Sequence, residues 1–109
     1  MTLGKYILKD GKPVLEPNLM KWAQWIEHSP ERILAKWQKG TVTVSTVFLG
    51  VDYNFTGKGE PTLWETMVFG GRLDRFCCRY NSARLAKRGH QRIVKMVEAE
   101  MPDEIVTTE

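Results

Sequence analysis

The chain has 109 residues, 42% hydrophobic and 27% charged, with a formal net charge of +3. That length points to a single domain over 1–101 with an ordinary core and a modest stability, on the order of 5–15 kcal/mol. No apolar run nears the ~20 residues that span a bilayer, and the opening MTLGKYILKDGK has neither a signal core nor a cleavage site, so the cytoplasm is the expected location.

Lys5–Lys9 and Lys12–Leu15 read as short strands joined at Asp10-Gly11, a pair that accepts the positive φ of a tight hairpin. Pro13 lacks an N–H and belongs on an outer edge. Asn18 is suited to cap a helix over Leu19–His28, where Leu19, Trp22, Ala23 and Ile26 recur at helical spacing. Ser29-Pro30 would open a second helix. Against that, Ile33, Ala35 and Trp37 alternate with Leu34, Lys36 and Gln38, and Lys39-Gly40 is a turn. A hairpin over 32–49 accounts for more of the pattern, its second strand β-branched at Thr41, Val42, Thr43, Val44, Thr46 and Val47.

Gly50–Thr62 is a polar loop, longer than most hairpin connections. Leu63–Phe69 is the next strand. It sets Trp64, Thr66 and Val68 on one face and Leu63, Glu65, Met67 and Phe69 on the other. Gly70-Gly71 ends it, and Arg75–Tyr80 supplies a further strand. Ser82 caps a helix from Ala83 to about Met101, where Pro102 stops it. Ala86, His90, Ile93, Val94, Val97 and Met101 share its apolar face. Gly89 costs about 1 kcal/mol against Ala there, which marks a close approach to the sheet. Residues 102–109 read as a flexible acidic tail.

The expected fold is therefore α+β: an antiparallel meander of four to six strands with two helices packed on one face. Thr41–Leu49 and Leu63–Phe69 are apolar on both faces, more than two helices need. The second face is thus a candidate seam for a homodimer or another partner. Cys77 and Cys78 are adjacent and point to opposite faces, so neither a mutual disulfide nor a Cys-x-x-Cys site is expected.

Charge is unevenly placed. From Arg72 to Lys95 there are eight Lys/Arg and one acid, leaving eight bases and twelve acids for the rest of the chain. Arg84, Lys87, Arg88, Arg92 and Lys95 lie opposite the apolar stripe of the last helix. With Arg75 and Arg79 they form a candidate surface for phosphates or an acidic protein. No helix-turn-helix, ribonucleoprotein or zinc-finger pattern accompanies them. A second candidate is a ligand site from the loop residues Asp52 and Asn54 with Glu65 and His90, whose oxygen and nitrogen atoms suit a cation or acid–base work. The loop lacks the calcium-ligand order of an EF-hand, and no metal or cofactor is expected. A histidine on an apolar helix face is more often a hydrogen-bonded core residue than a catalyst.

The runs V-S-T-V-F-L-G (44–50) and E-T-M-V-F-G-G (65–71), the later G-H (89–90) and the N-terminal Y-I-L-x-x-x-x-P-V (6–14) carry a resemblance. Over most of residues 5–97 the chain resembles a group of small proteins encoded by tailed phages and prophages. Members often have His where this chain has Tyr53. The resemblance implies a phage context, and it brings no activity or site residues. Charge and context together lead to the expectation of a non-enzymatic phage accessory protein in the host cytoplasm. It would bind a host or phage macromolecule through the basic helix, and inhibiting a host defence is one such role. The alternatives are a nucleic-acid binder using the same helix, and a small-ligand binder or enzyme built on the 50–65 loop.

Overall fold

The computed structural model describes residues 4–101. The acidic segment 102–109 lies outside the described residues. The fold is α+β, with a two-stranded hairpin, a four-stranded antiparallel sheet and two α-helices packing on it.

The hairpin pairs β1 (Tyr6–Lys9) with β2 (Lys12–Leu15). Asp10 and Gly11 both take positive φ, 53° and 76°, the geometry whose twist matches the flanking strands. Pro13 sits in β2, every residue of which is exposed. The hairpin forms a sheet of its own. It is tied to the loop between the two central strands of the main sheet by Tyr6 N–H donating to Gly50 O at 2.8 Å and Asp52 N–H donating to Gly4 O at 2.9 Å.

Helix α1 (Leu19–His28) begins where Asn18 Oδ1 accepts from Lys21 N–H at 3.0 Å. None of its residues is fully buried, so its apolar stripe packs only in part. Trp25 meets Phe48 edge-on, ring centres 5.7 Å apart, and Trp22 Nε1 donates to Gly50 O at 2.9 Å. Pro30–Arg32 form a single 3₁₀ turn, so the Ser-Pro signal is real but short.

The main sheet runs β3 (Ile33–Lys39), β4 (Val42–Phe48), β5 (Trp64–Phe69), β6 (Cys77–Tyr80), neighbours in chain order and antiparallel throughout. Helix α2 (Ala83–Glu100) starts with Ser82 Oγ accepting from Leu85 N–H at 3.1 Å and lies across one face. Cross-strand pairs Val44↔Val68, Thr46↔Thr66 and Phe48↔Trp64 all point at it. They build two adjoining clusters: Val42, Val44, Val68, Ile93 and Val97 at one end, and Phe48, Leu63, Trp64 and Ala86 at the other. Each buried Val, Leu, Ile or Phe side chain among them contributes about 1.5–3 kcal/mol.

Three details depart from strict alternation. A register shift between Ile33 and Ala35 pairs Ile33 with Val47, so Ile33 turns away from Ala35 and Trp37 and is 55% exposed. Leu63 precedes β5 and escapes its alternation, so it is buried rather than facing Met67. Strand β6 starts at Cys77, not Arg75. Val68 is opposed by two residues, its N–H donating to Phe76 O and its O accepting from Arg75 N–H, and Arg75 takes φ 70°. Of the four tryptophans only Trp64 is fully buried; the others are half-buried. The cysteines are free thiols, Cys77 exposed and Cys78 partly covered.

Candidate functional site

Four polar groups are threaded through the apolar layer under α2. Tyr80 O–H donates to Thr66 Oγ1 at 3.0 Å, Thr66 and Thr46 hydroxyls are 2.6 Å apart, and Thr46 Oγ1 lies 2.8 Å from His90 Nδ1. Thr46 and Thr66 are wholly buried and His90 is 8% exposed. If each hydroxyl donates once, the chain runs from Tyr80 to His90, Nδ1 accepts, and Nε2 carries the ring proton. Burial lowers the His90 pKa from its usual value, holding the ring neutral. Burial also raises the Tyr80 pKa, against the opposing pull of the Thr66 bond and the Arg92 charge. No buried side-chain polar atom among the described residues is left without a partner. A Thr–His contact of this length also occurs in nucleophilic sites, but Thr46 has no exposed surface through which a substrate would reach it.

Gly89 makes the arrangement possible. A Cβ at this position would overlap the Tyr80 ring and hydroxyl. The missing side chain lets Tyr80 pass beneath the helix to Thr66. The close approach implied by a mid-helix glycine is therefore to one ring rather than to the sheet backbone.

The basic side chains form a second constellation. Arg84, Lys87, Arg88, Arg92 and Lys95 are all exposed. At 100° per residue, Arg84, Arg88, Arg92 and Lys95 fall within about 80° of the helix circumference, with Lys87 on the opposite flank. The ion pairs among the described residues involve none of these five: they are Arg72–Glu100, Arg75–Asp74 and Arg79–Glu65. Arg75 and Arg79 thus have carboxylate partners of their own. Arg79 belongs chiefly to the other face of the sheet, where it bonds Glu65 at 2.9 Å and stacks over the Tyr53 ring. Arg88 and Arg92 overhang a cleft of about 430 Å³ between β6 and α2, floored by Cys78, Tyr80 and Gly89.

The loop residues are occupied by the loop itself. Asp52 Oδ1 accepts from Asn54 N–H at 2.8 Å and from Thr62 N–H at 2.9 Å, pinning the two ends together. The Asn54 amide donates to Lys58 O and Glu60 O and accepts from Thr56. Glu65 faces away from α2, while His90 projects from α2 onto the covered face, so the sheet separates these two members of the proposed ligand set. Among the described residues no three His, Cys, Asp or Glu side chains are grouped as a metal would need.

Thr46, Thr66, Tyr80 and Gly89 were not singled out together by sequence reasoning. Threonine in a strand reads as an ordinary β-former, and its burial shows only once Thr46 is paired with Thr66 beneath His90. Comparison with protein-family models, curated proteins and solved structures finds no match to this chain.

Proposed function

We propose that this is a non-enzymatic binding protein whose outer α2 surface captures an acidic macromolecule. The carrying observation is the row Arg84, Arg88, Arg92 and Lys95, exposed and without carboxylate partners among the described residues, whereas Arg72, Arg75 and Arg79 have them. The row extends about 16 Å along the helix. Unneutralised like charges spaced four apart on a helix repel by a few tenths of a kcal/mol per pair, a cost that an acidic partner removes. Leu85 and Met96, 46% and 37% exposed, flank the row and supply the apolar contacts that a protein interface adds to its charges. The exposed aromatics Tyr53, Phe55, Phe69 and Phe76 all lie off this helix, so none of them stands within the basic row. This favours a protein partner over single-stranded nucleic acid. The phage resemblance makes that partner a host or phage macromolecule in the host cytoplasm, and blocking a defence factor is one use of such a surface.

The test is capture from infected-host lysate by the wild-type protein and by the Arg88→Glu/Arg92→Glu double variant. The variant loses the partner while its stability changes by less than about 1 kcal/mol, as expected of exposed sites. Unchanged capture rejects the reading. A phosphate backbone also suits the row, and nucleic acid is the second reading. It is told apart by affinity that falls steeply and log-linearly with salt as counterions are released.

A further inference from the structure

One wall of the Arg88–Arg92 cleft is an unpaired sheet edge. Strand β6 is the last of the four and has a neighbour on one side only. In an antiparallel pair, successive residues turn their N–H and C=O alternately toward and away from the neighbour. Val68 N–H donates to Phe76 O at 3.0 Å, which sets Phe76, and with it Cys78 and Tyr80, as the residues whose backbone faces β5. Cys77 and Arg79 therefore direct their N–H and C=O outward, and no turn or loop bond among the described residues occupies them.

Helix α2 runs back along this edge. Gly89 meets Tyr80, and Cys78, two strand residues away, packs against the cluster holding Ile93 and Val97. Two residues of strand thus match four of helix. Alternate strand residues lie about 6.7 Å apart, and helix positions four apart are separated by about 6 Å. Arg88 and Arg92 have that helix spacing on the flank that overhangs the edge. A strand laid beside β6 would offer alternate side chains to the α2 side, one to each guanidinium. The opposite edge, β3, faces Gln91, Val94 and Lys95 and has no such arginine pair.

We propose that the β6 edge and the Arg88–Arg92 flank together bind an extended peptide with carboxylates at alternate positions, Asp/Glu-x-Asp/Glu, added as a fifth strand. The proposal rests on the reading of α2 as an acid-binding surface and names the form of the partner. Main-chain bonds at Cys77 and Arg79 supply affinity that ignores sequence, and the two guanidinium forks select the spacing of the acids. Leu85, 46% exposed on the same flank, meets the next side chain in phase.

The test uses two labelled peptides of one composition and charge, Glu-Val-Glu-Val-Glu-Val-Glu and Glu-Glu-Val-Val-Val-Glu-Glu, titrated by fluorescence anisotropy. The alternating peptide binds at least about tenfold tighter, since only it aligns two acids with the two arginines. On the wild-type protein, saturating peptide slows hydrogen exchange of the Cys77 and Arg79 amides by about tenfold or more. Cys77→Pro removes an outward N–H at the first residue of an edge strand, where proline is tolerated, and abolishes binding. If that variant does not fold, methylating alternate peptide nitrogens tests the same bonds from the other side. Equal affinity for the two arrangements, no binding of either, or binding without slowed exchange at both amides overturns the proposal. If Arg88→Glu/Arg92→Glu abolishes partner capture while the peptide measurements fail, the basic surface stands and strand addition falls. If capture is unchanged, both fall.

Discussion

The two faces of the four-stranded sheet are made by alternate residues of the same strands, yet they have different fates. Under α2 lie Val42, Val44, Phe48, Trp64 and Val68, all at or below 5% exposure. The other face holds Ile33 and Phe69, at 55% and 51% exposure, with Val47 and Met67 half-covered. Phe48 and Phe69 show that residue type does not decide burial. One is enclosed by Trp25 and Trp64, and the other ends its strand with half its surface exposed. Even the polar residues divide this way. The covered face hides Thr46 and Thr66 in a bonded chain, while the open face pairs Glu65 with Arg79 near solvent. Apolar strands thus report how much surface can be buried, and the placement of helices decides which part is.

The largest contrast is expected from truncating the two phenylalanines. Phe48→Ala costs about 3–5 kcal/mol through lost burial and a cavity. Phe69→Ala, half-exposed, costs less than about 1 kcal/mol. Urea unfolding of both measures the gap, and similar losses would mean the open face is covered in solution. Next, Thr46→Val keeps the shape but leaves His90 Nδ1 and the Thr66 hydroxyl short of a partner, at about 1–3 kcal/mol. Thr43→Val, on the open face, stays within about 0.5 kcal/mol.

The third contrast is in pH. His90 has a folded pKa below the ordinary 6.5 because burial disfavours its charged form. The unfolded chain therefore takes up the proton first. The His90 contribution is full above about pH 6.5 and is lost as pH falls through the folded pKa, with a slope of at most about 1.4 kcal/mol per pH unit. His90→Gln flattens this part of the stability–pH curve, and an unchanged curve would show that the ring is solvated.

The smallest effect has the most specific signature. Gly89→Ala gains about 1 kcal/mol of helix propensity but displaces the Tyr80 ring from Thr66, for a net loss of about 1 kcal/mol. In a Tyr80→Ala background the same change stabilises. A double-mutant cycle on the four proteins reads the reversal.

Much of the fold was legible in the chain. Asn18, Ser82 and the spacing of apolar residues place both helices within a residue of their ends, because capping and periodicity are local. Asp10-Gly11 marks its turn for the same reason. The bulge that exposes Ile33 and the two-to-one pairing at Val68 were hidden, since each depends on the partner strand. The candidate site divides likewise. The basic row on α2 is visible from residue spacing. That Arg79 is claimed by Glu65, and the Asp52 and Asn54 side chains by their own loop, is visible only when the chain is folded.

Short-range periodicity and turn chemistry are enough to set the α+β composition, the meander order and the concentration of positive charge on the last helix. The tertiary structure alone decided that Thr46 meets Thr66 and His90, that Gly89 admits Tyr80, and that one sheet face is closed and the other open. Those outcomes depend on register and docking between residues 9 to 44 positions apart, and a one-residue shift of a strand would turn its side chains to the opposite face.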